Sequence, residues 1–437
     1  MSKHTQKGLI PMDNETLLRR MEAFDPELSD LLLSALDRQC STLSLIPTAN
    51  AVSPFSAYLK GSVLGNDFMD HHAIERRSRL EKMACQRAKQ LFHSGHAIVR
   101  IGNPVAATRV VFYALAQPDS TILSFNLRKQ EHCTGDWMTY NFVKFSLEPD
   151  TLTIDYEKVR QLALSHKPRI IIYSPVNYPQ QAEYEKFRKI ADETGAYLWV
   201  DIGQNAGLVA TGLVPSPVPY ADVVTFGASD ALHGPQNGII LSTAQLAPWL
   251  DQAVIDTGHV SLKKNVLAAL AITFQEAAAE EFTAYCQQTL KNARALEKGL
   301  REAGISTLCG PTANHLVLAQ LREGIDGDRL TDNLALAGLM VKPEQLLTSG
   351  DLSFPVLRLS SLDPTTRSLK EKDMLKVGTA LGNFINSGQK ESDISDMAKT
   401  VKKIIDGRPL FSEEWLPDAE ADDSQTDMME KMIYWNI

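Results

Sequence analysis

The chain has 437 residues, of which 44% are hydrophobic and 22% charged, and a formal net charge of -9. This is globular composition, which excludes a disordered chain, and at about 150 residues per domain it implies two or three domains with cores of their own. The acidic balance argues against a nucleic-acid partner. The apolar runs AIVRIG, RIIIYSP and AYLWVD are buried-strand lengths, so no membrane span is expected. Cys40, Cys85, Cys133, Cys286 and Cys309 are too scattered for a metal or redox pair, and no metal site is expected. Their number is odd and the N-terminus MSKHTQKGLIPMD is polar, so the expected setting is reducing and cytoplasmic.

In chain order, residues 1–60 read as an N-terminal arm. Within it Asp25 and Pro26 make a helix start, followed by the amphipathic run LSDLLLSALDRQC. Residues 61–303 read as a large domain in which helices and strands alternate. The helices are expected at 76–92, 104–117, IDYEKVRQLALSHK and YEKFRKIADETG, and the strands at AIVRIG, TILSF, RIIIYSP, AYLWVD, ADVVTFGA and NGIILS. Apolar strands alternating with helices predict a mostly parallel sheet covered on both faces, with ligands at the strand C-terminal ends. Asn177, Tyr178, Asp201 and Ser229 fall there. Residues 261–303 read as mainly long helix, ending at REAG. Residues 304–408 mix strands (TANHLVLAQL, VLRLSS) with helices, a smaller α+β domain. Residues 409–437 read as a loosely docked acidic tail.

Several stretches resemble serine hydroxymethyltransferases: LSLIPTANAVSP, KGSVLGNDF, LEPDTLTIDYEKVRQLALSHKPRIII, KFRKIADETGAYLWVDIGQNAGLVATGLVPSPVPYADVVTFG, PTANHLVLAQLR and VLRLSSLDPTTR. The resemblance runs from about residue 25 to 405. It implies an aspartate aminotransferase-like α/β fold, that of fold-type I pyridoxal phosphate transferases, with a mostly parallel large-domain sheet and a small α+β C-terminal domain. It also implies a homodimer with residues of both chains at each site.

Carried over residue by residue, the resemblance makes Asp201 the partner of the cofactor ring nitrogen, a carboxylate that keeps the pyridine protonated. On its own, an Asp at a strand end reads as a turn or cap residue. His132 matches the histidine that stacks on the ring. Arg358 matches the arginine that grips the substrate carboxylate, for which its planar fork is suited; the plainer alternative is an internal ion pair. Arg367 matches a second arginine, with a structural role expected. Thr48, Asn50 and Asp70 fall at substrate positions.

The departures are specific. In VVTFGASDALHGPQNG, Asp230 occupies the position of the lysine that binds the cofactor, Ser229 that of a histidine and His233 that of an arginine. An aspartate cannot form a Schiff base. At the phosphate cradle stand Asn103, Pro104 and Val105; Asn103 is a good N-cap, but Pro104 has no N–H and Val105 no hydroxyl. Phe68 replaces a phosphate-binding tyrosine, Ala49 a glutamate, and Arg77 with Ser78 a tyrosine pair that packs on folate, so folate is not expected. Three readings follow. One is a divergent homologue with a binding or regulatory role. Another is an enzyme of altered chemistry, using pyridoxal or pyridoxamine phosphate without a covalent lysine link, with Asp230, His233 and His132 as acid–base groups. The third is a B6-free site for a small anionic or amino acid-like ligand lined by Arg358, Arg100, Asn103 and His233.

Overall fold

The computed structural model describes residues 14–66, 78–125, 140–259 and 262–418. Seven strands form the large sheet: β1 (His96–Ile101), β2 (Thr121–Phe125), β3 (Asn141–Phe145), β4 (Ile170–Tyr173), β5 (Tyr197–Asp201), β6 (Val223–Gly227) and β7 (Gly238–Ser242). Their order is β3-β2-β4-β5-β6-β7-β1. The pairs from β3 to β6 are parallel, and β7 is antiparallel to both β6 and β1.

Alternation along the strands sends side chains to two cores. Ile122, Ile170, Ile172, Trp199, Val223 and Ile240 face the core completed by helices Pro104–Leu115 and Ala247–Asp256. Leu123, Ile171, Tyr173, Leu198, Val200, Val224 and Phe226 face the other, against helices Arg79–Phe92, Tyr184–Thr194 and Lys264–Glu276. Burial on both faces is why these strands read as continuous apolar runs.

The smaller domain holds an antiparallel sheet of β8 (Thr307–Leu308), β9 (Leu316–Gln320), β10 (Lys342–Leu347) and β11 (Ser353–Ser360), in the order β10-β11-β9-β8. The end of the N-terminal arm also belongs here. Leu43–Ser44 pairs in parallel with Leu339–Met340, and Leu43 and Leu45 are fully buried in this third core.

The long helix expected over 261–303 is two, Lys264–Glu276 and Glu280–Glu302. Alanines 277 to 279 favour helix yet form the break, so packing overrides propensity. The second helix spans about 34 Å. Its Phe282, Tyr285 and Cys286 enter the core of the large sheet, while its Ala293, Leu296 and Leu300 enter the small-domain core. One helix thus ties the domains together. The expected N-cap is in place: Asp25 Oδ1 accepts from the Leu28 amide at 3.0 Å, with Pro26 opening the helix.

The loosely docked tail is a correction for residues 409–418. Trp415 is buried in the core of the large sheet, and its Nε1 donates to the Thr365 carbonyl at 2.8 Å. Composition marks this stretch as acidic surface, but Phe411 and Trp415 anchor it.

Buried Arg367 joins three segments. It donates to the Thr42 carbonyl, to the Cys40 carbonyl at 3.4 Å and to the Pro409 carbonyl at 3.3 Å. Its charge also lies beside Asp363, whose carboxyl burial pushes up to about 6. Arg367→Met leaves those carbonyls without this donor and removes the positive charge beside Asp363, and is expected to cost about 3 kcal/mol. Urea unfolding measures this, and a loss below about 0.5 kcal/mol would show that these contacts carry no stability.

Glu276 gives a second expectation, with a sign. Ser53 Oγ donates to its Oε1 at 2.5 Å, and its Oε2 is buried with no partner among the described residues. Burial pushes this carboxyl up from 4.5 to about 7. Between those values the folded chain keeps a proton that the unfolded chain releases, so this group's contribution to stability is lost as pH rises through that window. Glu276→Gln is therefore expected to be more stable than the parent by about 2–3 kcal/mol at pH 8, and no more stable at pH 4. Unfolding midpoints at the two pH values decide it; a pH-independent difference would contradict it.

Candidate functional site

The C-terminal ends of β4, β5 and β6 lie side by side and carry the polar groups. Asp201 closes β5. Its Oδ2 accepts from Thr225 Oγ1 at 2.6 Å, and its Oδ1 from the Gly203 amide at 3.1 Å. Thr225 sits opposite on β6 and accepts in turn from Trp199 Nε1 at 2.9 Å. Burial pushes the Asp201 carboxyl up, and these two hydrogen bonds pull it down. The result is an acceptor-rich, half-buried carboxylate at a strand end, oriented from the sheet itself.

Asp230 follows β6 by three residues. Ser229 Oγ donates to its Oδ1 at 2.9 Å. Its carboxyl is raised by burial, with the Ser229 hydrogen bond and the Arg358 charge acting the other way. Arg358 comes from β11, in register with Leu318 and Lys342, and is 3% exposed. Arg358, for which a ligand carboxylate or an internal ion pair was expected, is a buried cation whose charge lowers the Asp230 carboxyl.

His315, which the sequence reading missed, lies at the same place. Its Nε2 donates to the Gln204 carbonyl at 2.7 Å, which leaves Nδ1 to accept from Ser360 Oγ at 2.9 Å. Burial lowers it to about 3, and the Arg358 charge acts in the same direction. It is thus a neutral imidazole of fixed tautomer that pins the loop after β5 to β11. Asn314 pins the loop after β4, donating to the Tyr178 carbonyl at 3.1 Å. Asn177 Oδ1 and Gln204 Oε1 are buried here without hydrogen-bond partners among the described residues. The available signal was the polar pair Asn314–His315 directly before an apolar strand, and Gln204 three residues after Asp201.

Other expected residues have different surroundings. His233 is 3% exposed. Its Nδ1 donates to the Ala51 carbonyl at 2.9 Å, and its ring meets Tyr285 at 4.6 Å, Phe411 at 5.1 Å and Phe282 at 6.2 Å. Burial lowers it to about 4. It is a neutral packing residue in an aromatic cage, not an open proton-transfer group. Asn50 is equally engaged. Its Nδ2 donates to the Asp230 carbonyl at 2.7 Å and to Tyr285 Oη at 3.3 Å, while its Oδ1 accepts from Thr366 Oγ1 at 2.7 Å. Both ends of the amide are used in holding the Asp230 loop. Thr48 is exposed in the preceding turn. Arg100 donates to Glu81 Oε1 at 2.8 Å, a buried ion pair. His132 and Asp70, like Phe68 and Arg77, lie outside the described residues.

At the expected phosphate position, Asn103 caps its own helix, with Oδ1 accepting from the Ala106 amide at 2.8 Å. Pro104 offers no N–H. Strand β7 presses on this turn: a Cβ on Gly238 would lie 2.4 Å from the Asn103 carbonyl oxygen. One of the amides that an anion would use is already satisfied. A cleft of about 690 Å³, lined by residues that include Tyr156, Tyr178, Glu183, Lys186 and Cys309, is separate and contains neither Asp201 nor Asp230.

Comparison with known proteins agrees with this architecture. The serine hydroxymethyltransferase family profile matches residues 21–381. A serine hydroxymethyltransferase of Rippkaea orientalis (strain PCC 8801 / RF-1) is 35% identical over 412 residues, covering 89% of this chain and 95% of the relative. A probable serine hydroxymethyltransferase of Rickettsia bellii (strain RML369-C) is 33% identical over 411 residues, covering 88% and 95%. A serine hydroxymethyltransferase of Cyanothece sp. (strain PCC 7425 / ATCC 29141) is 34% identical over 412 residues, covering 89% and 95%. With the strand order and domain layout above, these matches make the chain a member of the serine hydroxymethyltransferase family with the fold-type I transferase architecture.

Proposed function

We propose that this family member has given up Schiff-base and folate chemistry and serves as a binding or regulatory homologue on the retained scaffold. The observation that carries this is Asp230, a carboxylate three residues past β6 where the resemblance calls for a lysine, held by Ser229 and by Asn50 at its carbonyl. Residues 223–262 contain no lysine. The self-capped turn at Asn103 supports the same reading, since it leaves a cofactor phosphate fewer amides than the family's cradle implies. A covalently held pyridoxal phosphate does not fit the residues at Asp230 and Asn103.

A second reading rests on Asp201. Its half-buried carboxylate, held by Thr225 and Gly203, has the chemistry that a pyridine nitrogen needs, and supports pyridoxal or pyridoxamine phosphate held without a covalent link. Titration of the purified chain with each compound, followed by visible absorbance and dichroism, separates the two readings. No saturable signal in the parent protein is the expected result. Saturable binding that weakens at least tenfold in Asp201→Asn would establish the second reading instead. Transfer of the serine hydroxymethyl group to tetrahydrofolate by the parent protein would overturn both.

We also propose that the chain works as a homodimer. Leu28, Leu32 and Leu36 recur every fourth residue along helix Pro26–Ser41, with Leu31 beside them, and each is between 44% and 63% exposed in the single chain. A stripe of this size suits a partner surface. Sedimentation is expected to give a dimer at micromolar concentration, and Leu32→Asp with Leu36→Asp is expected to weaken association at least tenfold. A monomeric parent protein would refute the proposal.

A further inference from the structure

The C-terminal segment after the last helix closes over the back of the Asp230 loop. Arg408 donates to the Ser368 carbonyl at 2.8 Å and pairs with Asp373 at 3.1 Å. The Ser412 amide donates to the Thr366 carbonyl at 2.9 Å. Trp415 donates to the Thr365 carbonyl and lies edge-on to Tyr285, with ring centroids 5.6 Å apart. Lys370 sits over the Trp415 ring at 4.3 Å and pairs with Glu414 at 2.9 Å. Arg408, Ser412, Glu414 and Trp415 lie beyond the stretch matched by the family profile, which ends at 381, whereas their partners lie within it.

What the segment covers is the set of groups that hold the loop. Phe411 meets the His233 ring. His233 has a φ of 57°, a left-handed conformation that an L side chain keeps only when its surroundings fix it. Its carbonyl accepts from the Ser53 amide at 2.8 Å, and the Gly234 amide closes the loop onto the Ala228 carbonyl at 2.7 Å. Beneath Trp415, Tyr285 and Thr366 hold Asn50, and Asn50 holds the Asp230 carbonyl. Two routes therefore run from the segment to the loop: Phe411 through His233, and Trp415 through Tyr285 and Asn50.

We infer that residues 408–418 are a clamp that positions Asp230, with Phe411 and Trp415 as its positioning residues. In this chain the clamp orders the loop from behind, a task that a covalently bound cofactor would otherwise share. The inference rests on reading the Asp230 loop as the functional centre, but its test reads loop order and not ligand, so the two can fail separately.

The test is amide hydrogen exchange on the full chain, comparing the parent protein with Phe411→Ala and Trp415→Phe. The second variant keeps an aromatic ring while losing the N–H donor and part of the ring's volume, a milder change that remains informative if the first does not fold. Peptides covering residues 228–235 are expected to exchange at least tenfold faster in Phe411→Ala and measurably faster in Trp415→Phe, while β9 keeps its parental rate. In the same variants the carboxyl titration of Asp230, identified by its loss in Asp230→Asn, is expected to move down toward the ordinary aspartate range as water enters. Unchanged exchange in residues 228–235, or equal acceleration in β9, would overturn the inference.

Discussion

Four parts of the chain meet at the side chain of Asn50, and the site depends on that meeting. Its amide nitrogen donates to the Asp230 carbonyl and to Tyr285, and its oxygen accepts from Thr366. The N-terminal arm, the loop after β6, the bridging helix and the small domain are thereby held at one buried point. Tyr285 has no solvent exposure and donates to the Leu362 carbonyl at 3.3 Å, so its hydroxyl is satisfied from the small-domain side. A network this enclosed is cooperative: removing one member leaves the others as buried, unmatched polar groups. This is why residues that look like substrate contacts in the sequence can be structural ties in the fold.

The charges at the strand ends follow from the same enclosure. Arg358 is buried, so its charge requires compensation from within the protein. The Asp230 carboxylate supplies part of it, and the same cation helps keep His315 neutral. His233 is neutral for a different reason, an aromatic cage that offers its second nitrogen no partner among the described residues. The two imidazoles are therefore poor proton carriers near neutral pH, whereas Asp201, Asp230 and the amide oxygens of Asn177 and Gln204 form a run of acceptors. An aldehyde cofactor with an anionic phosphate requires the opposite balance at two of its ends.

Much of the fold was legible because it is written in local patterns. Continuous apolar runs marked the buried strands, and Asp25–Pro26 and Asn103–Pro104 marked helix starts that the structure keeps. The resemblance added the domain layout, and Asp201 lies at the strand end where it was expected. Side-chain direction was not legible. His233 and Asp230 are three residues apart on one loop, yet one faces an aromatic cage and the other reaches the field of Arg358. His315 and Gln204 were missed because their pairing crosses 111 residues of sequence. The docking of Phe411 and Trp415 was missed because the acidic composition around them describes only the outward face of that segment.

These features show how the turn at Asn103 and the loop at Asp230 are held by the chain itself. In a helix N-terminus built to receive phosphate, the first amides await a ligand. Here Asn103 satisfies one, Pro104 lacks one, and β7 packs directly on the turn. The loop at Asp230 is similarly self-sufficient, closed by its own backbone, tied by Asn50 and covered by Phe411. At Asn103 and at Asp230, order is thus supplied from within the chain. The domains are held as well by the packing of helix Glu280–Glu302 in both cores and by Arg367, whose hydrogen bonds go to backbone carbonyls and not to the Asp230 side chain.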